Sequence, residues 1–128
     1  MSKYEPWYLY VIKTESGFYK IGISRSPYDR YAQLLPGIPE SSNVQLMIKC
    51  VNKEMARELE AKLHKDLAEW NTVGEWFKVP KVTLALVIFD LGKETRAMDL
   101  RPPEISYHDE PWFELMGKNR LAYMERSD

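Results

Sequence analysis

Apolar and polar positions sort into short segments with two different periods. Trp7 to Lys13, WYLYVIK, is aromatic and β-branched, and TESG separates it from a similar run, Phe18 to Ser24. The pattern predicts two strands joined as a hairpin. Side chains alternate across a strand, so Tyr8, Tyr10 and Ile12 share one face of the first. Phe18, Lys20, Gly22 and Ser24 share a face of the second. The turn leaves the hairpin register open, and with it whether Tyr10 looks across at Lys20. NVQLMIKCV, residues 43–51, predicts a third strand.

Between the strands the period changes to that of helices. Ser26 stands at a predicted N-cap, Pro27 at the first helical position and Asp29 at the third, a pattern that opens a helix. That helix ends by Leu34 or Leu35, ahead of PGIP. A second helix starts at Asn52, and its Met55, Leu59, Leu63 and Leu67 recur every four residues as an apolar stripe. VGEWFKV predicts a turn and a short extended segment. PKVTLALVIFDLGKE predicts a third helix, opened by Pro80 and closed near Gly92, although its β-branched run also suits a strand. From Thr95 onward prolines, charges and aromatics follow no clear period, which reads as an extended arm ending in a short helix at 112–124. The expected fold is α+β: a small three-stranded antiparallel sheet flanked by helices, in the order β-β-α-β-α-(β)-α. The expected domain covers 1–94 and the arm 95–128.

Composition narrows the class. With 128 residues, 45% of them hydrophobic, the chain can form one domain whose core needs no staples. No run of apolar residues is long enough to span a membrane, and the N-terminal residues lack a signal-peptide pattern. Cys50 is the only cysteine, which excludes an intrachain disulfide or a multi-cysteine zinc site and suits a reducing, cytoplasmic setting. Eighteen basic and nineteen acidic residues leave a net charge of -1. No global field therefore draws the protein to nucleic acid, and any such site is a local, salt-sensitive patch.

Such a patch is suggested where the second strand meets the first helix. A tyrosine, a lysine and an arginine (Tyr10, Lys20, Arg30) converging beside Gly22 suit a phosphodiester, since glycine admits a close approach and arginine forks onto phosphate oxygens. The same residues also suit a plain reading, with Gly22 easing strand packing and Arg30 solvated. Glu60 and His64 lie four residues apart on the second helix, where a carboxylate beside an imidazole can hold a divalent ion or simply border the leucine stripe. In GEWF, Trp76 and Phe77 read as caps on the core, and Glu75 as an acid near the site or an exposed residue. Tyr107, His108, Trp112 and Phe113 read as cover for an apolar surface or a contact with another subunit.

Taken in order, these segments resemble the GIY-YIG nuclease superfamily, in a branch found in phage and bacterial genomes. YLYVI resembles its first signature and YKIGIS its second; Arg30 follows Gly22 by eight residues. LEAKLH places Glu60 at the family's metal position, and GEWF resembles the segment closing the domain. The resemblance implies a DNA endonuclease with catalytic Tyr10, Lys20, Arg30 and Glu60, and with Mg²⁺ or Mn²⁺ on Glu60. Tyr10 would take a proton from water, with Lys20 favouring the phenolate. Gly22, Ser24, Arg25, Tyr31 and His64 are the candidate substrate contacts. Tyr8 replaces a glycine of the first signature, and Leu34 stands where many members carry His or Tyr. The expected partner is DNA rather than a membrane, with the arm offering a surface for a homodimer or a protein partner. A second reading stays open: a nuclease-derived module for DNA attachment or protein interaction, such as a phage modulator of a host protein.

Overall fold

The predicted hairpin forms, with β1 at Trp7–Thr14 and β2 at Tyr19–Ser24. The structure is a computed structural model that describes residues 6–97 and 104–107. The hairpin leads into α1, Pro27–Leu34, and a single 3₁₀ turn at Leu35–Gly37. β3 (Ser42–Cys50) and α2 (Lys53–Asp66) follow. A second 3₁₀ turn, Ala68–Trp70, precedes β4 (Trp76–Phe77), α3 (Lys81–Ala97) and β5 (Glu104–Tyr107).

The sheet has five strands in the order β4-β2-β1-β3-β5, every pair antiparallel. The three predicted strands form its centre. Two short strands form the edges: β4, within the extended segment expected at VGEWFKV, pairs with β2 through two residues, and β5 pairs with β3 through four. Pairing of this kind satisfies backbone groups without demanding an alternating apolar face, which is why β5 does not stand out in the hydropathy pattern. Part of the expected 95–128 arm is thus a strand of the domain's own sheet. The helix expected at 112–124, with His108, Trp112 and Phe113, lies outside the described residues.

The larger core lies on one face, where Leu9, Val11, Ile21, Leu46 and Ile48 meet α2 and α3. The predicted stripe supplies the helical half: Met55, Leu59, Leu63 and Leu67 are all buried, each contributing about 1.5–3 kcal/mol. Asn52 caps α2, its Oδ1 accepting from Met55 N at 2.8 Å. α3 continues through Gly92 rather than stopping there, since one interior glycine costs only about 1 kcal/mol.

The opposite face carries a smaller cluster, Tyr10, Ile12 and Val44, covered by Tyr31 and Leu34 of α1. A bulge sets its phase. Val11 pairs with Leu46 but Ile12 with Val44, leaving Gln45 as the extra residue on β3. Ser26 makes no side-chain cap bond to α1; instead Ser24 Oγ accepts from Ser26 N at 3.0 Å and shapes the turn into the helix.

Candidate active site

The register of the hairpin settles what Tyr10 faces. Tyr10 stands opposite Gly22, and Lys20 opposite Ile12. The Tyr10 ring crosses the strand and lies over the Gly22 backbone, 2% exposed. Arg30 reaches it from α1 and donates a hydrogen bond to its hydroxyl. The guanidinium also reaches Gln33 Oε1 at 3.3 Å.

A third side comes from the β4 edge. Gly74, with φ +56, turns the chain so that the carbonyl of Glu75 accepts from Ile21 N at 3.1 Å. The Glu75 carboxylate then lies beside Gly22, 3.2 Å from Lys20 Nζ. Lys20 is 12% exposed and its ammonium also sits over the Trp76 ring, 5.6 Å from the centroid. Trp76, expected as a core cap, is half-buried and serves this lysine, whereas Phe77 is fully in the core.

Glu60 approaches from α2. Burial holds its carboxyl above the ordinary carboxylate range, and repulsion from Glu75 adds to this, against the opposing charges of His64, Lys20 and Arg57. Burial likewise raises the Tyr10 phenol. The hydrogen bond from Arg30 acts against that, while the charges of Glu75 and Glu60 reinforce it. This corrects one expectation. The cation at the Tyr10 hydroxyl is Arg30, not Lys20, whose charge is engaged by Glu75, and the phenol stays protonated at neutral pH.

The remaining candidates divide by location. Ser24 is occupied in the β2–α1 turn. Arg25 is exposed and borders a pocket beside that turn. Tyr31 was expected at the substrate, but its hydroxyl donates to Ser42 O at 2.7 Å and lies 2.8 Å from Ser42 Oγ, bracing α1 against β3. His64 Nε2 donates to Ile21 O at 3.0 Å and its ring meets Phe77 edge-on, tying α2 to the sheet. Glu75 joins the site more fully than the residue pattern suggests. Its only sequence signal is a glycine before it and aromatic residues after it, which place a turn but not the strand it docks on.

Among the described residues no group of three or more His, Cys, Asp or Glu side chains is arranged to hold a metal. The hard oxygen donors here are Glu60 and Glu75, close enough to raise the carboxyl of Glu60. This small set fits Mg²⁺ or Mn²⁺ rather than a fully protein-caged ion, because Mg²⁺ takes one or two carboxylates and keeps waters and phosphate oxygens for the rest.

The T5orf172 domain matches residues 7–91, from the start of β1 to the interior of α3. No curated protein matches the chain. The matched segment contains every residue of the site and well over half of the sequence, and the chain belongs to the T5orf172 domain family.

Proposed function

We propose that the protein is a metal-dependent DNA endonuclease of the GIY-YIG type, with Tyr10, Arg30, Glu60 and Glu75 around one phosphodiester. The observation that carries this reading is the convergence of a buried phenol, a guanidinium and two carboxylates, from β1, α1, α2 and the β4 turn, beside a glycine. Membership of the T5orf172 domain family supports a nuclease-like or DNA-binding role.

In this mechanism Arg30 holds the scissile phosphate and offsets charge developing on its non-bridging oxygens. The protonated Tyr10 hydroxyl accepts a hydrogen bond from the attacking water and takes its proton as its own phenol proton passes to the Glu75 carboxylate, which lies on the same side of Gly22. The new bond joins the water oxygen to phosphorus, and the bond to the leaving sugar oxygen breaks, that oxygen taking a proton from solvent. Lys20 holds Glu75 in place and limits the negative charge at the site. Glu60, with Glu75 beside it, would hold Mg²⁺ or Mn²⁺, whose chemistry there would be Lewis-acid stabilisation of charge on the phosphate.

Cleavage of supercoiled plasmid with Mg²⁺ or Mn²⁺ tests the proposal, with Arg30→Ala and Glu60→Gln as controls. Nicking or linearisation by the wild type and its loss in both variants is the expected result. Activity that survives in both variants refutes the site. Leu34, which stands where many members carry His or Tyr, favours a second reading, a DNA-attachment module, and binding without cleavage by the folded wild type selects it.

A further inference from the structure

We propose that a pocket between Tyr8 of β1 and the start of α1 receives one unstacked nucleobase next to the phosphate at Arg30, making single-stranded or locally opened DNA the substrate class. The inference rests on the reading of the protein as DNA-binding and adds a specificity site to it.

The pocket has a volume of about 320 Å³, and its walls include Tyr8, Arg25, Tyr28, Asp29 and Met47. That is at the small end of the roughly 300–1,000 Å³ typical of ligand sites, suited to a base rather than a helix or a peptide. Its placement relates it to the phosphate site. Tyr8 precedes Tyr10 by one pleat repeat on the same face of β1, about 6.8 Å along the strand. Arg25 and Tyr28 belong to the turn and helix that deliver Arg30, so the pocket shares β1 and α1 with the phosphate site.

The lining suits a base better than a second phosphate. Two phenol rings and a thioether offer flat, polarisable walls, and Tyr28 is 54% exposed despite its size. Arg25 can lie over a base or reach the phosphate attached to it. Asp29 is an acceptor when ionised, so it repels phosphate but accepts from the exocyclic amine of cytosine or adenine. The charge balance points the same way. With a net charge of -1, phosphate contacts alone leave binding weak, whereas base stacking contributes affinity that salt does not screen.

The test compares two fluorescently labelled oligomers of equal length, oligodeoxycytidine and its abasic sugar–phosphate counterpart, by anisotropy in EDTA. The base-bearing oligomer is expected to bind the wild type tighter by about 5- to 150-fold, the range for stacking of one base. Tyr28→Ala and the Tyr8→Ala/Tyr28→Ala pair should shrink that ratio towards one and leave abasic binding unchanged. Arg30→Ala should weaken both oligomers alike. Tyr28 is exposed, so its single variant keeps the test informative if loss of Tyr8 disturbs folding. Equal binding of the two oligomers by the wild type, or a ratio unchanged in Tyr28→Ala and in the pair, overturns the pocket while leaving the DNA reading intact. No binding of either oligomer overturns the pocket, and a labelled duplex of the same length measured alongside separates that outcome from failure of the DNA reading, which predicts that the duplex binds.

Discussion

A Cβ at position 22 would sit 2.5 Å from the hydroxyl oxygen of Tyr10 and 2.8 Å from its Cζ. The Tyr10 ring thus fills the space any side chain at residue 22 would need. Because the two residues are paired across adjacent strands, the chemistry of the phenol and the integrity of the hairpin are linked.

Gly22→Ala tests that link. The obstructing atoms belong to a rigid, buried ring, so relief requires moving Tyr10 or the strand, at a cost of about 1–3 kcal/mol. In a Tyr10→Ala background the space opens and the same substitution should cost less. Urea denaturation of the four proteins in the cycle measures the coupling. Additive losses would show that Gly22 is needed for a reason other than Tyr10.

Glu60 should oppose stability at neutral pH. Its carboxyl is held above the ordinary range by burial and by Glu75, so the folded state favours the protonated form. The stability linked to it is present below the unfolded carboxyl range and is lost as pH rises through the folded midpoint. Glu60→Gln is therefore expected to raise stability at neutral pH, by a margin that partial exposure of the carboxyl to solvent keeps small. The gain should shrink in acid, where Glu60 is itself neutral. A lower urea midpoint for the variant at neutral pH would mean that His64, Lys20 and Arg57 outweigh burial.

Glu75→Gln separates the two carboxylates. Removing its charge should move the titration midpoint of Glu60 downward, as read from carboxyl ¹³C shifts in metal-free protein. The variant also leaves Lys20 without its partner in a largely buried position, for an expected stability loss of about 1 kcal/mol. An unmoved Glu60 midpoint would remove Glu75 from the electrostatics of the site.

Cys50 gives an alkaline signature of the core rather than of the candidate site. Burial pushes its thiol from 9.0 up to about 11. Between those values the unfolded chain ionises first, so stability should fall with rising pH by up to ~2–3 kcal/mol more in the wild type than in Cys50→Ala. The native thiol should also resist a thiol reagent at mildly alkaline pH and react once urea unfolds the chain. Prompt native labelling would contradict its burial.

Local pattern determined the elements that make up the centre of the fold. The aromatic and β-branched runs specify the three central strands, because a half-buried pleated surface selects for them. The stripe from Met55 to Leu67 and the cap at Asn52 specify α2 for the corresponding helical reason. Tyr10, Gly22, Arg30 and Glu60 were legible as candidates, since each is a residue type suited to phosphodiester chemistry on a predictable element.

Their relative positions depended on contacts that no local pattern encodes. Register puts Gly22 rather than Lys20 opposite Tyr10. Docking of β4 on β2 brings Glu75 to Lys20 and takes Lys20 away from the phenol. Helix packing turns Tyr31 and His64 inward to Ser42 and Ile21. Periodicity reports which face of an element is buried, but an edge strand of two residues has almost no periodicity to read. Charge pairing and side-chain direction at the site are set by long-range packing, so the tertiary structure alone decided which charge neighbours which.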